Sequence, residues 1–143
     1  MFDPTREQVR DFFFATWRKY RAGEPLAGLE ALALEVILAH PEYHAALAEP
    51  ERFRGREYFP ELGESNPFLH LSMHLAIEEQ LSIDQPPGVA GRFAALAARH
   101  GDRHAAMHGA IECLAEMVWR AQRDHAPPDA VAYLSCLEAR ARR

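Results

Sequence analysis

No apolar run in the sequence approaches the roughly 20 residues that span a bilayer, which argues against an integral membrane protein. Alternating β-branched runs of strand length are missing too, so strands are not expected and the fold class is read as all-α. Basic residues are in the minority, with 16 Lys and Arg against 21 Asp and Glu and a net charge of −5. That balance argues against non-specific nucleic-acid binding, which needs a basic surface. Cysteine is scarce: Cys113 and Cys136 form neither a C-x-x-C pair nor a disulfide framework. Both are expected to be free thiols in a reducing cytosol, acting as small buried apolar residues. There is no G-x-S-x-G, no glycine-rich phosphate loop and no C-x-x-C-H. The usual motifs of serine nucleophiles, nucleotide binding and c-type haem attachment are therefore missing. The opening residues Met1-Phe2-Asp3-Pro4-Thr5 lack a basic region followed by an apolar one, so a secretory signal is not expected and the cytoplasm is the expected location.

What is present fits one helical domain over residues 1–143 with an ordinary core, since nearly half the residues are hydrophobic and a quarter charged. Thr5 and Gln8 read as a capping box, followed by Val9, Phe12, Phe13, Thr16, Trp17 and Tyr20 at helical spacing. The aromatic stripe is read as core. A second helix is expected from near Pro25, with a break at Pro41 and a short resumption to Leu47. Residues 49–65, with Pro50, Gly55, Pro60 and Gly63, read as a long loop pinned by Phe53, Tyr58 and Phe59. Asn66 then caps a helix over 67–82, and Pro86-Pro87-Gly88 marks a turn. A shorter helix over 89–98, a long one over 103–123 and a last one over 130–142 complete the expectation. The result is a helical bundle of four main helices plus shorter ones.

The chemistry is concentrated in a repeated stretch. His70-Leu-Ser-Met-His-Leu-Ala-Ile-Glu78 and His104-Ala-Ala-Met-His-Gly-Ala-Ile-Glu112 share the pattern His-x-x-Met-His-x-Ala-Ile-Glu. On a helix the four-residue spacing puts His70, His74 and Glu78 on one stripe, and His104, His108 and Glu112 on another. With about 100° per residue, Met73 and Ile77 interleave with the first stripe, as Met107 and Ile111 do with the second. Ligand-type side chains pointing into an apolar interior are costly unless paired or metal-bound. The expectation is therefore a metal site made by both stripes facing each other, with His40 and His44 as further candidate ligands. Imidazole and carboxylate suit a transition metal: iron first, with zinc, nickel, manganese and copper as alternatives. Six ligands on two helices exceed the needs of one tetrahedral zinc and suit a dinuclear centre in a bundle. Histidine-rich di-iron sites of hemerythrin-like bundles are an analogy here; the Glu-x-x-His pairs of ferritin-like proteins are absent. An open position would take oxygen or another small-molecule ligand, for redox chemistry or sensing.

The segments His40-Pro41-Glu42-Tyr43-His44, 66–74, 104–108 and 112–116 resemble a bacterial family, domain of unknown function family eighteen forty-one. The resemblance covers most of the chain and implies a small bacterial protein. It supplies no activity, so function has to come from the residues. Two alternatives stand beside the metal–redox reading. One is a hydrolase with a single zinc and a glutamate such as Glu78 or Glu112 as general base. The other is a metal-free helical interaction module whose histidines and glutamates form a buried polar network. No nucleic-acid or membrane partner is expected, and a homo-oligomer is left open.

Overall fold

The computed structural model describes residues 5–143, so the expectation for the first four residues lies outside the described part. Among the described residues every regular element is helical and there is no strand. No helix there is long and apolar enough to cross a membrane. The elements are α1 (Arg6–Arg21), α2 (Leu29–Leu38), α3 (His44–Leu47), α4 (Pro50–Phe53), α5 (Pro67–Ile83), α6 (Val89–His100), α7 (Arg103–Asp124) and α8 (Ala130–Ala141). Three of them are long, at 16, 17 and 22 residues for α1, α5 and α7. By contrast α2 has 10 residues, fewer than the 12 each of α6 and α8. The chain forms two compact units, Met1–Leu75 and Ala76–Arg143, with their boundary inside α5.

In the first unit, α1 starts where the capping box places it. Thr5 Oγ1 accepts from the Gln8 amide at 3.1 Å, and Gln8 Oε1 accepts from the Thr5 amide at 2.8 Å. The second helix starts at Leu29 and not near Pro25. Gly28 adopts φ +58°, a conformation suited to glycine, and that interrupts any helix begun earlier. Pro41 ends the helix as expected, opening a 3-10 turn over Pro41–Tyr43 that runs into α3. Phe13, Phe14, Trp17, Val36, Ile37, Leu47, Phe68 and Leu71 form the core here, so the aromatic stripe of α1 is indeed a buried face.

The stretch 49–65 is more structured than a plain loop. It holds α4 and a 3-10 turn at Pro60–Leu62, each beginning with proline at a first-turn position. Phe53 and Tyr58 pack against the core, whereas Phe59 is 43% exposed. The fastening comes from Arg10, which is buried on α1. Its Nη1 donates to the carbonyls of Phe53, Arg54 and Arg56 at 3.2, 3.0 and 2.8 Å. Its guanidinium lies over the rings of Phe68 and Tyr58, at 4.8 and 5.5 Å from their centres. Carbonyl dipoles and aromatic faces thus compensate a desolvated cation.

In the second unit α6 packs on both α7 and α8, and α7 packs on α8. Val89, Phe93, Leu96, Met107, Ala110, Leu114, Tyr133 and Leu137 are buried. Asp102 accepts from the His104 and Ala105 amides, and Asp129 from Ala132, so the starts of α7 and α8 are set by side-chain caps. The expectation of free thiols is corrected: Cys113 and Cys136 form a disulfide between α7 and α8. The helical hairpin brings their Cα atoms to 5.8 Å although 23 residues separate them in sequence, and no linear spacing rule reveals that pairing. Tyr133 Oη donates to Gln80 Oε1 at 2.6 Å, and Arg92 pairs with Glu138 at 2.7 Å.

Candidate metal centre

Three imidazoles converge in the first unit. His70 and His74 lie one turn apart on α5, and His40 comes from the end of α2. The ring centres of His40 and His74 are 4.4 Å apart, those of His70 and His74 4.6 Å, and those of His40 and His70 5.0 Å. Local sequence explains how each gets there. Asn66 Oδ1 accepts from the Phe68 and Leu69 amides at 3.0 and 3.2 Å, fixing the start of α5 and hence its register. Pro41 keeps His40 out of the helix, at φ −127° and ψ 66°, so its side chain leaves the α2 axis.

That departure gives His40 a defined tautomer. Its Nδ1 lies 2.7 Å from the Val36 carbonyl in the last turn of α2, an oxygen that also accepts from the Ala39 amide. A carbonyl only accepts, so Nδ1 carries the proton and Nε2 is the lone-pair nitrogen. An imidazole held through one nitrogen by a backbone carbonyl is the usual arrangement behind a metal-ligating histidine. The Nε2 atoms of His70 and His74 are 3.1 Å apart. Two ligand nitrogens about 2.0–2.1 Å from a tetrahedral ion stand roughly 3.3 Å from each other, so the observed spacing is close to that of a shared ion. Without an ion, one ring donates to the other.

His40 and His74 are buried, at 2% and 3% exposure. Tyr43 stacks on His40 with the rings 4° from parallel and 5.6 Å apart. Burial pushes the Tyr43 hydroxyl above its ordinary pKa, with Glu42 adding to the shift. His44, the other histidine of this segment, turns elsewhere. Its ring lies 4.3 Å from that of Trp17, and its Nε2 donates to the Ile37 carbonyl at 2.8 Å.

In the second unit His104 and His108 sit one turn apart on α7, with ring centres 4.4 Å apart and both residues exposed. The carboxylates of the two stripes are occupied by arginines. Glu78 accepts from Arg103 at 2.6 and 3.2 Å, its side chain only 11% exposed. Glu112 pairs with Arg140 at 2.6 Å, its side chain 63% exposed. The burial cost that a metal was expected to offset is thus met at Glu78 by a guanidinium, and at Glu112 it does not arise. Sequence reading missed Arg103 and Arg140 as partners. Arg103 directly precedes the second stripe, while Arg140 lies 28 residues beyond Glu112 on another helix, where only the fold can place it. Ile77 and Met107 are buried at 1% and 2%, and Met73 and Ile111 are half-buried, in line with apolar framing of the stripes.

The chain matches the family described as Domain of unknown function (DUF1841) over residues 5–139, and it belongs to that family. No curated protein and no solved structure matches it.

Proposed function

We propose that this protein binds one first-row transition-metal ion through the histidines of its first unit, His40, His70 and His74. Each of these three side chains has a ring nitrogen to offer an ion. The observation that supports this most is the His40–His70–His74 convergence, with His40 already oriented by the Val36 carbonyl. The repeated stripe supplies a second pair of imidazoles of the same spacing. Because Glu78 and Glu112 are engaged by arginines, the donor set is imidazole, which suits zinc, copper, iron or nickel. A dinuclear iron centre with carboxylate bridges would require both glutamates to leave their arginines, so a single ion is the simpler assignment. A position left open on it would take oxygen or another small ligand. We take the chain as one all-helical domain with four main helices plus shorter ones.

A metal-free polar network is the second reading. It is favoured by the His70–His74 contact at 3.1 Å and by the two Arg–Glu pairs, which satisfy these groups without an ion.

Uptake of zinc(II) and, separately, iron(II) by protein stripped with a chelator distinguishes the two. The wild type is expected to take up about one ion per chain, the Glu112→Gln variant the same amount, and His40→Ala or His74→Ala only a small fraction. A wild type that takes up neither ion, or a His74→Ala variant that matches it, overturns the metal assignment.

A further inference from the structure

The first unit contains a cavity of about 1000 Å³ that the histidine centre does not use, between α1 and the α3–α4 segment. Its floor is Phe14, Trp17 and Leu47, all nearly inaccessible. His44 and Trp17 form an aromatic wall, their rings 4.3 Å apart and 31° from parallel. This volume lies at the upper end of the range typical of small-molecule sites, roughly 300–1,000 Å³.

The charge around the cavity is uneven. Arg18 and Arg21 stand on its border, the last turn of α1. Arg18 is paired with Glu24 at 3.5 Å in a largely exposed contact. Among the described residues Arg21 pairs with no carboxylate; it lies over the Trp17 ring at 5.9 Å from its centre. The acidic residue that borders the cavity, Asp11, is already held by Arg54 in a two-point contact of 2.7 and 2.9 Å. Two guanidinium groups against one competing carboxylate leave an excess of one positive charge at this end, in a chain whose net charge is −5.

We propose that this cavity binds a small organic monoanion with an apolar body, an aliphatic or aromatic carboxylate. The apolar part would lie on Phe14, Trp17 and Leu47, and the carboxylate would take the fork of Arg21. The assignment is independent of the metal centre and places Trp17 and His44, both at helical positions next to a cavity, in contact with the ligand.

Trp17 and Trp119 are the two tryptophans, so a Trp119→Phe protein reports on Trp17 alone. Titration of that protein with decanoate is expected to change its fluorescence saturably. In the same background Arg21→Gln, an exposed change, is expected to weaken binding about tenfold or more, and neutral decanol should bind at least about tenfold more weakly than decanoate. His74→Ala should bind decanoate like the parent, which keeps this outcome separate from that of the metal assignment. No saturable response overturns the proposal. Equal binding of decanol and decanoate, or an Arg21→Gln protein that binds decanoate unchanged, also overturns it, because the cavity would then be only an apolar surface.

Discussion

His40 acquires its chemistry from its neighbours. A proline after it removes it from the helix, and the Val36 carbonyl then claims its Nδ1 and selects the tautomer. Glu78 shows the opposite logic: its stripe position suggests a ligand, but Arg103 at 2.6 Å makes it half of an ion pair. The histidine spacing was legible from the sequence because helix periodicity is local. The arginine partners were not, because an arginine reaches across elements and its target depends on the fold. Tyr133 is a third case, set by burial. Its hydroxyl is pushed up to about 12, since a phenolate there would be desolvated. The unfolded chain releases that proton near pH 10, so the folded form is favoured fully below about pH 10 and loses that advantage as pH rises toward 12. Tyrosinate absorbance should therefore show a late-ionising component that is lost in Tyr133→Phe, and the denaturation midpoint should fall over that alkaline interval. If Tyr133→Phe shows the same alkaline loss of stability, the effect belongs to another group.

Helix starts were the most readable elements. Thr5, Asn66, Asp102 and Asp129 all cap as their residue types suggest, because a cap is satisfied within three residues of itself. The start of α2 was misjudged because Gly28 turns the backbone where Pro25 looked like a first-turn residue. The 49–65 stretch looked loop-like because its fastening, Arg10, lies on another helix. The α7–α8 pair carries the largest departure, the Cys113–Cys136 bond. Closing a loop with a separation of 23 residues restricts the unfolded chain by about 3 kcal/mol. Chemical denaturation of a Cys113→Ser/Cys136→Ser double variant should show a loss near that size, with helical circular dichroism retained at low denaturant. A variant as stable as the parent would show that the bond contributes nothing to the fold.

At the scale of the whole chain, the all-helical class followed from the absence of strand patterns and from the repeated 3.6-residue apolar period, and the described residues agree. The family match spans nearly the full length, so the repeated stripes and the His40 segment lie within one family unit, without an activity attached to it. The candidate site was legible in part. The two histidine pairs and His40 were in view, but the ion pairs of Glu78 and Glu112 required Arg103 and Arg140 to be located in space. What remains is an imidazole-rich set in a chain with few other groups of chemical distinction. Elemental analysis of the untagged protein, purified without chelator, tests that claim most directly. About one equivalent of zinc, iron, nickel or copper per chain is the expected result. Protein that is folded, free of metal as purified and unable to retain any of these ions after their addition would contradict it.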